Sequence, residues 1–157
     1  MSRIQRLRRQ QGLTLIELVV VAALLAIMAA VVLPSAKNAF RRSKEVQLRA
    51  ALRELRYAID EYKRFSDAGL IEIDLGTDGY PEEIELLVEG VELIGQFDRE
   101  VKFMRRIPID PMTGEAEWGM RSYQDDWDAD SWGGEDVFDV YSLSGAVGLN
   151  GVPYSLW

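Results

Sequence analysis

Two sets of residues in this chain have types and spacings suited to chemistry. The first is Gly12, Leu13 and Glu17, at the head of an apolar run from Leu13 to Leu33. An ionised carboxylate deep in hydrocarbon costs about 2.5–3.5 kcal/mol even on lenient insertion scales, so Glu17 needs something to compensate it. The small residue of this segment precedes the apolar run, and no A-x-A site follows it, so any cleavage falls after Gly12 and leaves the apolar helix as the new N-terminus. The second set is Asp126, Asp128 and Asp130 in "QDDWDADSWGGED". Their D-x-D-x-D start is oxygen-rich, but Ser131 stands where a calcium-binding EF-hand needs glycine and Val137 where it needs a bidentate glutamate. Two readings stay open there: a disordered acidic loop, or a cation site built from Asp126, Asp128, Asp130 or Asp136.

The remaining composition narrows the classes of function. The 157 residues include no histidine and no cysteine, which removes the commonest general base, the usual zinc ligands and any disulfide framework. Acidic pairs are numerous, yet no spacing identifies an acid–base pair and there is no nucleophile elbow. The chain reads as a structural protein rather than an enzyme. Four of its 18 basic residues, Arg3, Arg6, Arg8 and Arg9, precede Gly12, so the rest carries 14 basic against 26 acidic side chains. A domain so acidic repels nucleic acid.

These residues must be positioned by a few elements. Leu13–Leu33 spans about 31 Å as a helix, which matches the hydrocarbon core of a bilayer. It is apolar on every side, as a membrane span is. Pro34 is expected to kink the helix without ending it. Beyond it, Leu48, Leu52, Leu55, Ile59 and Tyr62 recur at steps of four, three, four and three, one apolar seam of a helix running to about Phe65. Glu45 and Arg49 are expected to pair on its solvated side. "LIEIDL" reads as a brief strand, and "YPEEIELLVEG" as a short helix with Pro81 in its first turn and Gly90 at its end. Pro108 and Pro111 force extended structure. "AEWGMRSY" and "DVFDVYSLS" are the best strands. The expected fold is α+β: one long helix packed on a small antiparallel sheet.

"GLTLIELVVVAALLAIMAAVVLP" resembles the prepilin signal of type IV pilins and type II secretion pseudopilins: a basic leader, a Gly, an apolar residue, a Glu four positions later, then an apolar run. Leu13 stands where that family usually has Phe. "YPEEIELLV", "RRIPIDPMTGEAEW" and "DVFDVYSLSGAVGLNGVPYSLW" are similar to the C-terminal half of type II secretion major pseudopilins, the general secretion pathway protein G family.

The resemblance implies a type IV pilin-like fold and a cut by prepilin peptidase between Gly12 and Leu13, with N-methylation of Leu13. It assigns Glu17 to filament assembly, as the partner of an ammonium on the neighbouring subunit, and it matches Pro34 to the family's helix proline. The implied division is leader 1–12, membrane and filament-core helix 13–33, amphipathic continuation 34–65 and a periplasmic domain 66–157. The implied function is a structural subunit of a pseudopilus that drives protein export. A type IV pilin for motility, adhesion or DNA uptake is the alternative. Expected partners are further copies of the chain, the peptidase, an inner-membrane assembly platform and other pseudopilins, with the N-terminus cytoplasmic and no nucleic acid bound. Major pseudopilins hold calcium in the C-terminal loop. Here that loop reads "SLSGAVGLNG", where Ser142, Ser144, Asn150 and carbonyls offer only a weak neutral set.

Overall fold

A computed structural model of the chain describes residues 12, 14–73, 78–95 and 99–157. Its backbone falls into two units, Met1–Phe40 and Arg41–Trp157.

Helix α1 runs Leu15–Asp67, two residues beyond the expected end, and passes through Pro34 without interruption. In the first unit its described side chains are exposed apart from Ala36, which is half-buried. That segment is long and apolar enough to cross a membrane, and none of it is buried within the chain.

In the second unit α1 supplies the core. Leu48, Leu52, Leu55, Ile59 and Tyr62 are all buried, and Ala51 and Ala58 fill the spaces between them. They pack with Leu87, Met104, Trp118, Val137, Val140 and Tyr154. The seam extends one step further than its apolar members: Glu45, three residues before Leu48, is also buried. It therefore does not pair with Arg49 on the solvated side. Its Oε1 accepts from the Leu149 backbone N–H at 2.7 Å and the Tyr154 hydroxyl at 3.0 Å. The Arg49 guanidinium instead lies 4.3 Å from the centre of the Trp157 ring.

Among the described residues the β structure is two separate two-stranded antiparallel sheets and an isolated bridge between Val147 and Pro153. Strand β1 (Val91–Glu92) pairs with β2 (Glu100–Val101), and β3 (Gly119–Arg121) with β4 (Asp139–Tyr141). The second pair lies within the two segments expected to be strands. Gly119 opens β3 because the Tyr141 ring, directly across the ladder, occupies the space a side chain would need. Arg121 then stacks on the same ring at 4.1 Å.

The helix expected from Pro81 is reduced to α2 (Leu86–Glu89). The Pro81 carbonyl accepts from Val137 N–H at 2.8 Å instead of from its own next turn, and Leu86 and Leu87 bond three residues back. No strand forms among the described residues of "LIEIDL".

Candidate functional site

At the N-terminal end of α1, Gly12 is exposed and non-helical, with open space where a side chain would stand. Thr14 caps the helix. Its Oγ1 accepts from the Glu17 N–H at 3.3 Å, and its carbonyl accepts from the Leu18 N–H at 3.1 Å. Thr14-Leu15-Ile16-Glu17 is thus an S/T-x-x-E capping sequence, a signal present in the sequence that the motif reading passed over. It fixes where the helix starts, two residues past the expected cut. Glu17 sits in the first turn, where the helix dipole favours an acid, and it is exposed. Leu13, the expected methylation site, lies outside the described residues, and of Pro34 only the helical backbone is described.

This arrangement has clear consequences. A peptidase needs an exposed, unwound backbone, and position 12 offers one just before a capped helix. Behind it Leu15, Ile16, Leu18, Val19, Leu24, Leu25, Ile27 and Met28 are at least half exposed. A helix apolar on all sides with nothing of its own to cover it suits lipid or other copies of the same helix.

The expected metal ligands in the second unit are placed differently. Asp126, Asp128 and Asp130 are exposed, and among the described residues no three Asp or Glu side chains converge as metal ligands. Their loop is nevertheless tied down. Asp125 Oδ2 accepts from Ser122 N–H (2.7 Å) and Gly133 N–H (3.0 Å), Trp132 Nε1 donates to the Asp136 carbonyl (2.7 Å), and Arg121 Nε donates to the Ala129 carbonyl (2.8 Å). Asp136 is fully buried; its Oδ1 accepts from Tyr123 N–H at 2.9 Å and its Oδ2 has no partner. Burial pushes the Asp136 carboxyl up from its ordinary value. The Tyr123 N–H pulls it down, and Asp78, Glu135 and Asp125 push it up again.

In the C-terminal loop, Ser144 Oγ accepts from Ala146 N–H (3.4 Å) and Asn150 Oδ1 from Val152 N–H (3.1 Å). The Ser142 hydroxyl donates to buried Asp110 at 2.5 Å. Calcium takes six to eight oxygens, usually with several carboxylates. The 142–150 loop has none, and the two seen to reach it are occupied, Glu45 by Leu149 and Tyr154 and Asp110 by Ser142 and Met112. As arranged, these donors do not make a calcium cage. The loop is closed by protein groups: Glu45, and Arg41, which donates to the Tyr154 hydroxyl at 3.2 Å and to the Val147 carbonyl. Glu45, Arg41 and Asp110 are the positions that polarity alone did not single out.

Residues 7–33 match a family model described as the prokaryotic N-terminal methylation motif. The match covers the second half of the leader, Gly12, Glu17 and the apolar run, and it supports a pilin-like, prepilin-like class. With the one helix among the described residues that is long and apolar enough to cross a membrane, it fits a membrane-anchored, single-pass protein. No curated protein and no solved structure matches the chain.

Proposed function

We propose that this chain is a structural subunit of a type II secretion pseudopilus. In this reading prepilin peptidase, working from the cytoplasmic side, cuts between Gly12 and Leu13 and methylates the new amine of Leu13. The apolar half of α1 holds the subunit in the inner membrane, with residues 66–157 in the periplasm. An assembly platform and other pseudopilins then draw subunits into a short filament whose growth moves cargo. The observation that carries this reading is the methylation motif over residues 7–33, joined to a capped helix with a bare apolar surface. The absence of cysteine and the acidic balance support a pseudopilus over a type IV pilin, whose C-terminal region commonly closes with a disulfide.

The same reading gives Glu17 its role. Cleavage creates an ammonium one residue before the Thr14 cap. In a bundle of parallel, staggered helices, that ammonium on one subunit meets Glu17 of the next. Removing one member of a buried pair costs about 3–5 kcal/mol, so the pair fixes the stagger.

The test is mass spectrometry of the mature N-terminus together with a Glu17→Gln variant. A methylated Leu13 is expected, with Glu17→Gln still processed but polymerising at least ~tenfold more slowly. An intact Met1 in membranes that contain the peptidase overturns the reading. Loss of secretion on deletion distinguishes the pseudopilus from the pilin, for which surface filaments would disappear instead.

A further inference from the structure

A chain this acidic nevertheless gathers arginines on one face of α1. Arg49, Arg53 and Arg56 follow at steps of four and three, so they share that face. With Asn150 and Trp157 they line a groove of about 450 Å³ that no acidic side chain lines. Arg56 is committed to Asp139, at 2.6 Å, and to the Trp157 carbonyl, at 2.7 Å. Arg49 only stacks on Trp157. Arg53 is exposed, with no ion pair or side-chain hydrogen bond among the described residues. It also lines a second depression with Tyr57, Arg105 and Arg106, where Glu54 is the single acid.

The complementary surface is on the same chain. Asp126 and Asp128 are exposed, and their carboxylates have no partner among the described residues. Between them Trp127 is 76% exposed, with no aromatic or cationic neighbour among the described residues. The bonds from Asp125, Arg121 and Trp132 hold this loop, so its tip is presented at little further ordering cost. An exposed indole flanked by two carboxylates suits a groove of arginines, because the indole face attracts guanidinium while the carboxylates pair with it.

We infer that the Asp126-Trp127-Asp128 tip of one copy docks in the Arg49/Arg53/Trp157 groove of a second copy. The inference rests on the filament reading and deepens it. Groove and tip are different patches, so the contact is heterologous, and a heterologous contact that does not close into a ring propagates into an open helical polymer. Charge complementarity selects a second copy: the unpaired acids and the unpaired arginines occur on the same molecule and do not meet within it.

The chain has no cysteine, which allows an unambiguous cross-linking test on the full-length processed protein in membranes. Arg53→Cys and Asp128→Cys placed in one chain are expected to give a ladder of oxidised oligomers. The two single variants mixed give dimers only, and each alone gives none. Sedimentation of the extracted assemblies reports polymerisation independently. Large assemblies without the 53–128 cross-link overturn the docking and leave the filament reading standing. A chain that sediments only as monomer overturns both. Arg49→Glu with Arg53→Glu is expected to weaken assembly about tenfold, and adding Asp126→Lys with Asp128→Lys restores it. Loss without restoration assigns the groove to some other acidic partner and overturns self-docking.

Discussion

Asp110 and Asp136 are both fully buried aspartates, and their surroundings give them different fates. Asp110 places Oδ1 on the Met112 N–H at 2.7 Å and Oδ2 on the Ser142 hydroxyl, so it closes the proline-bounded turn and fastens it to the end of β4. Asp136 satisfies only Oδ1, and the charged groups around it are Asp78, Glu135 and Asp125, with Tyr80 and Tyr123 packed near. With its folded value raised, the protonated form is favoured by folding. Its contribution to stability is therefore complete below the unfolded value, near 3.8, and is lost as pH rises through the folded one. Asp136→Asn keeps an oxygen for Tyr123 and turns donors toward the acids. It is expected to stabilise the protein by about 1 kcal/mol at pH 7 and to flatten the pH dependence of thermal unfolding. A variant less stable than wild type at pH 7 but not at pH 4 would show that Oδ2 carries a charge with a partner.

The elements show which parts of the fold are legible in sequence and why. The seam from Leu48 to Tyr62 is legible because α1 buries one stripe and leaves the rest wet, so spacing and burial coincide. Glu45 occupies the same stripe and is invisible to a reading based on polarity, since what buries it is the Leu149–Tyr154 loop, a hundred residues away. Strands β1 and β2 are two residues each, too short to show any alternation. The N-terminal motif is legible because its parts are contiguous: Gly12, Glu17 and the apolar run all fall within residues 7–33, which match the methylation motif. The acidic loop is not: Asp125 and Asp136 organise it through contacts whose partners no local pattern announces. The Glu45 clamp has a measurable weight. Glu45→Ala leaves the Leu149 N–H and the Tyr154 hydroxyl without their acceptor, and an unmet buried polar group costs about 1–3 kcal/mol. Thermal unfolding should register that loss, and limited proteolysis should open the chain near residues 147–154. Glu45→Gln retains a carbonyl acceptor and is expected to lose less than half as much. Equal losses for the two variants would show that the negative charge, facing Arg41, matters more than the hydrogen bonds.

At the scale of the molecule, burial and apolarity are separated along one helix. Among the described residues every buried one lies at Glu45 or later, while the described part of the most apolar stretch is not buried. The folding free energy of the Arg41–Trp157 unit is therefore expected to come from its own core, without disulfides, and in the proposed reading the apolar half of α1 serves location and assembly instead. A chain begun at Ser35 tests this. It retains more than a turn of helix ahead of Arg41, so fraying at the new end spares the bonds from Arg41 to Tyr154 and Val147. It is expected to be soluble without detergent and to unfold in one cooperative transition. Its Tm should fall within about 4 °C of that of the full chain in detergent, roughly the shift that a 1 kcal/mol change produces in a domain of this size. On the proposed filament reading it should also fail to polymerise, because Glu17 and the amine proposed to meet it are gone. If the shortened chain lost its cooperative transition, the membrane half of α1 would be part of the core's stability, and the separation of stability from assembly along this helix would be wrong.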